Sequence, residues 1–154
     1  MLNRLLSGGQ SSRMYKALVD EKQLAVAAQS VSLPLEQPGA SIILGIAGLG
    51  IAPAKVEEAL NAEIERVKTE LVPETEFQKL RNQLEAELVD DNSTLEGIAL
   101  NLANFEVLFG DANLINTNIS RYLKVTREDL QRVAKKYLDK NNRVLLYWLP
   151  EQKQ

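Results

Sequence analysis

Apolar and polar positions change rhythm several times along the chain, and each change predicts an element. Residues 1–22 read as a broken helical stretch with a loop at residues 7–11; Met14, Ala17 and Leu18 recur at helical spacing in its later part. Over residues 24–33 the period shortens to two. Leu24, Val26 and Ala28 alternate with Ala25, Ala27 and Gln29, which predicts a strand. Two prolines and a glycine in residues 34–39 predict a turn. Residues 40–49 predict a second strand, with Ile42, Leu44 and Ile46 on one face and Ile43 on the other. The short connection makes the two strands an antiparallel pair.

Helical spacing then takes over. Pro53 suits the first position of a helix, and Val56, Leu60, Ile64, Val67 and Leu71 give it an apolar stripe up to residue 71. Glu63 and Glu65 fall beside Arg66 and Lys68 on its expected wet side. A second helix begins at Pro73 with acidic residues in its first turn and carries Phe77, Leu80, Leu84 and Leu88. A third carries Leu95, Ile98, Leu102, Phe105 and Leu108 and stops at Gly110. Residues 113–122 are a weaker helical segment. Thr126, with Asp129 three residues on, marks the cap of a helix that buries Leu130, Val133, Ala134 and Tyr137. Residues 143–149 are apolar and predict a last strand ended by Pro150.

Strands grouped apart from helices indicate an α+β fold, a small antiparallel sheet packed by several helices. Three strands are few for this much helix surface, so the first strand or strands of the sheet are expected to lie before Met1. Residues 1–150 are expected to form one partial domain and residues 151–154 a tail.

Composition narrows the chemistry. The 154 residues are 45% hydrophobic, which fits one core. Eighteen basic against 21 acidic side chains leave a net charge of −3, too small and of the wrong sign for electrostatic nucleic-acid binding. With no cysteine there is no thiolate nucleophile and no Cys-zinc site; with no histidine there is no Ser-His-Asp triad and no His-based zinc motif. No apolar run reaches the ~18 residues of a membrane helix, and residues 1–9 lack the apolar core of a secretory leader. The compartment stays open.

Several motifs have ordinary accounts. Leu6-Ser7-Gly8-Gly9-Gln10 spells the signature peptide of ABC-type ATPases, which would make an ATP-binding module. The chain lacks the Gly-x-x-x-x-Gly-Lys-Ser/Thr loop that would hold the phosphates. Gly45, Gly48 and Gly50 follow a strand, but their spacing reverses the dinucleotide fingerprint, so a strand ending in a flexible turn is expected. Glu57, Glu58, Glu63, Glu65, Glu85, Glu87, Asp90 and Asp91 lie on helix surfaces or ends near Lys or Arg, as a solvated face does. Trp148 alternates with Val144 and Leu146, which predicts core or interface packing.

Leu6-x-Gly8-Gly9-x-x-Ser12-Arg13-Met14-Tyr15, followed by Leu24-Ala25 opening a strand, resembles the second domain of the pitrilysin-type zinc metallopeptidases, the family of insulysin and the mitochondrial processing peptidase. Val125-Thr126-Arg127-Glu128-Asp129-Leu130-x-x-Val133-Ala134-x-x-Tyr137-Leu138 and the apolar segment before Pro150 are similar to the end of that domain. The resemblance implies one half-domain of a clamshell, with zinc carried by a His-x-x-Glu-His helix in another domain. Catalytic and metal residues in this chain are none, and zinc is expected in the partner domain or subunit.

Non-catalytic halves of the family often supply an Arg and a Tyr after the second strand. Residues 16–65 here contain neither, with Ala40 and Ile51 standing nearby, so no catalytic residue is carried across. Gly8 and Gly9 occupy the place of a longer Gly-rich loop that contacts substrate in the processing peptidase, and are the weak substrate-binding candidates. The role implied is a chamber wall that holds peptide substrate against the zinc domain. The alternative is a structural or assembly domain in a complex without peptidase activity. An exposed sheet edge is expected to bring some self-association.

Overall fold

The computed structural model describes residues 1–33 and 39–149. Two short helices, α1 (Leu2–Ser7) and α2 (Arg13–Tyr15), lead into a π-helical turn at Lys16–Glu21. Strands β1 (Ala25–Leu33) and β2 (Ala40–Ala47) pair antiparallel. Helices α3 (Pro53–Thr69), α4 (Glu74–Asp91), α5 (Leu95–Phe109), α6 (Leu114–Leu123) and α7 (Arg127–Tyr137) follow. The α+β architecture expected from the sequence is present. The predicted turn falls mostly on residues 34–38, and Pro150 with residues 151–154 lies beyond 149; both are outside the described residues.

The sheet packs one face on helices. β1 rests on α1, α2 and the π-helical turn, β2 rests on α3, and α7 packs on α3. The core between these layers has Leu6, Met14, Leu18, Val67 and Val72 fully buried, joined by Val56, Phe77, Leu80, Leu130 and Ala134. Burying each large apolar side chain stabilises the fold by roughly 1.5–3 kcal/mol. Gly45 faces inward from β2, and a Cβ there would lie 2.6 Å from Val56 Cγ1. Its missing side chain lets α3 approach the strand. Thr126 and Asp129 form the capping box expected at the start of α7.

Several side chains depart from the pattern. A bulge between Ala25 and Ala27 adds a residue to β1 and inverts the alternation there: Ala25 and Ala28 share the buried face, and Val26 is exposed. Helix α3 stops at Thr69, so Leu71 leaves its stripe and Val72 enters the core instead. Glu63, expected on the wet side, is buried, with both carboxylate oxygens 3.2 Å from Arg66 Nη1. Tyr137 is exposed rather than buried. Helix α5 buries none of its apolar stripe; Leu95 and Leu108 are open, and the helix packs chiefly on α6 rather than on the core.

The expected last strand is also corrected. Residues 143–149 form no ladder with β1 or β2, and no backbone hydrogen bond joins them to other described residues. A strand is defined by its neighbour, and neither described strand pairs with this segment.

Candidate functional site

The Gly-rich turn follows α1 directly. Gly8 closes the helix with its N–H 2.6 Å from the Arg4 carbonyl, and a Cβ on it would meet Arg4 at 2.5 Å. Gly9 is exposed with φ +94°, a conformation that favours glycine. These two residues make a tight turn between α1 and α2.

Ser7, just before the turn, reaches the sheet. Its Oγ accepts the Ser30 N–H at 2.6 Å and donates to the Ser30 carbonyl at 3.1 Å. In an antiparallel ladder a residue whose N–H and C=O both turn away from the paired strand presents them at the sheet edge. Ser7 therefore occupies the β1 edge at Ser30, where an added strand would otherwise pair. Asn3, one helical turn earlier, accepts from Ser30 Oγ at 2.9 Å and Ser41 Oγ at 3.1 Å. The serine of the five-residue ATPase-like match is thus committed to holding α1 on the sheet.

Arg13, beyond the turn, is buried and forms a two-point pair with Glu76: Nε to Oε1 at 3.0 Å and Nη2 to Oε2 at 2.7 Å. It ties α2 to α4 across 63 residues of sequence. Arg4 pairs with Glu87 and donates to the Gln83 carbonyl at 3.2 Å, a second link to α4. Beside Arg13 is an open depression of about 260 Å³ lined by Lys16, Glu21, Glu63, Arg66, Glu70 and Glu76 among others. Its charges are mostly spent on one another.

Glu57 of α3 holds the segment 143–149. Tyr147 Oη donates to Glu57, Arg143 Nη2 donates to its Oε1 at 2.9 Å, and Arg143 Nη1 reaches Asn61 at 2.5 Å. The tyrosine hydrogen bond, above all, keeps the Glu57 carboxyl below its usual range, with Asn61 and Arg143 adding to it. The same bond raises the Tyr147 hydroxyl. The sequence alone reads Glu57 as one more solvated carboxylate and places Tyr147 on a strand. The spacing of Arg143 and Tyr147, four apart on one side of an extended segment, is the signal available there.

The outer face of the sheet is apolar and open. Gln29 pairs with Leu44, Val31 with Ile42 and Ala27 with Ile46, and Val31, Ile42, Leu44 and Ile46 are each about half exposed. The antiparallel pairing also excludes a βαβ dinucleotide crossover at Gly45, Gly48 and Gly50. Among the described residues no three His, Cys, Asp or Glu side chains converge on a point that could hold a metal. With neither histidine nor cysteine in the chain, the donors present do not fit a catalytic zinc ion. No described helix is long and apolar enough to cross a membrane.

Comparison with known proteins accounts for this arrangement. Residues 1–84 match the family model described as the peptidase M16 inactive domain. The chain is 29% identical over 153 residues to the zinc protease PqqE of Helicobacter pylori, covering 97% of this chain and 33% of that protein. It thus spans about a third of that relative. Among solved structures, one described as the inactive peptidase domain of a zinc protease from Bordetella parapertussis superposes with a TM-score of 0.83 at 22% identity, over 97% of this chain and 80% of that one. A protease from Helicobacter pylori superposes with a TM-score of 0.82 at 23% identity, over 92% of this chain and 34% of that one. Both superpositions establish a common fold.

Proposed function

The chain belongs to the peptidase M16 inactive-domain family, and from that membership we propose that it is the non-catalytic domain of a zinc metalloendopeptidase, forming one wall of a closed chamber and holding peptide substrate against a zinc domain located elsewhere. The observation that carries this reading is the match of residues 1–84 to an inactive peptidase domain in a chain that contains no histidine. The open apolar face of β1 and β2 supports it, since a wall facing an extended peptide needs apolar surface that the domain's own helices leave free. Zinc, in this reading, is bound and used by the partner, and this chain supplies shape and contact area.

Gly8 and Gly9 are the candidate substrate contacts within that wall. Gly9 is exposed, two residues after the Ser7 anchor, and its lack of a side chain lets another backbone come close. Ser7 and Arg13 on either side hold the turn in place through bonds to the sheet and to α4.

A second reading rests on a separate observation. Residues 16–65 hold neither Arg nor Tyr, the residue types that a non-catalytic half supplies to the reaction. A purely structural domain of the same fold, in a complex without peptidase activity, would show this blank.

Affinity capture of the tagged chain from its native cells tests the first reading. The expected outcome is co-purification of a polypeptide carrying a His-x-x-Glu-His helix, with zinc in the complex and none in the isolated chain. Stoichiometric zinc in the isolated chain contradicts it. A stable complex that contains no such helix supports the structural reading.

A further inference from the structure

We draw no further inference here: the strongest candidate, the open apolar outer face of β1 and β2 at Val31, Ile42, Leu44 and Ile46, is an unpartnered surface patch, and nothing in the structure shows what covers it.

Discussion

The hydroxyl of Ser7 is bonded to both backbone groups of Ser30, accepting its N–H at 2.6 Å and donating to its carbonyl at 3.1 Å. One side chain thus does at the β1 edge what a neighbouring strand would do, and it also fixes the Gly8–Gly9 turn to the sheet. Replacing Ser7 by Ala leaves both groups of Ser30 without a partner in a part-buried place. The expected cost is about 1–3 kcal/mol, read as a lower urea midpoint with unchanged slope. Ser11→Ala, at an exposed position in the same loop where the hydroxyl accepts from the exposed Lys79 ammonium, should change the midpoint little. Equal midpoints for Ser7→Ala and the parent would remove Ser7 as the anchor of the turn.

Arg13 and Glu76 are expected to act as one unit. Arg13→Ala should destabilise the chain by about 2–3 kcal/mol, since charge-assisted bonds at a buried guanidinium are lost. Glu76→Ala should cost a similar amount, and the double variant little more than either. A double-mutant cycle measures the coupling directly. Additive losses would show that α2 and α4 are held by something else.

The close approach of α3 to Gly45 predicts a clash with a remedy. Gly45→Ala places a methyl against Val56 and should cost about 1–3 kcal/mol. Adding Val56→Ala removes the Cγ1 in the way and should recover part of that loss. A thermal melt of the three variants checks it; a double variant less stable than both singles would place the strain elsewhere.

The attachment of residues 143–149 should depend on pH at both extremes. Glu57 is held below its usual 4.5, first by the Tyr147 hydrogen bond. A carboxyl depressed on folding contributes its stabilisation above the usual value and loses it as pH falls through the lowered one. Tyr147 is raised above its usual 10.0, chiefly by its bond to Glu57, so its contribution is present below that pH and is lost as pH rises through the raised value. The anisotropy of Trp148, one residue along, should be flat between these limits and fall below pH 4.5 and above pH 10. Glu57→Gln should remove the acid limb while circular dichroism stays constant. An unchanged acid limb in Glu57→Gln would mean that the segment is held by other contacts.

What could be read from the sequence was local. The stripe Val56, Leu60 and Val67 on α3, the capping box Thr126–Asp129 and the left-handed stop at Gly110 follow from spacing and single-residue conformational preference, and they are present. The resemblance carried by Leu6, Gly8, Gly9 and Ser12-Arg13-Met14-Tyr15, with Leu24-Ala25, residues 125–138 and the segment before Pro150, identified the family. What could not be read depends on contacts far apart in the chain. Nothing in the residues around Val26 announces the bulge in β1 that turns its side chain outward. The apolar pattern of residues 143–149 predicts a strand that the described residues do not form, because pairing requires a neighbour that the pattern does not supply. The partners of Ser7 and Arg13 lie 23 and 63 residues away. Only Asn3 and Ser7, polar and four apart on a helix whose other residues are largely apolar, hinted that one face of α1 meets backbone.

The proposed role of this domain is to support a zinc peptidase domain without holding the zinc itself. Its most direct test is the hydrolysis of an internally quenched peptide by a purified zinc-bearing domain of the same family from the same organism, alone and with this chain added. The zinc domain alone should be weak, adding the chain should raise kcat/KM severalfold in proportion to complex formed, and a chelator should abolish the gain. A complex that forms and leaves kcat/KM unchanged would contradict it.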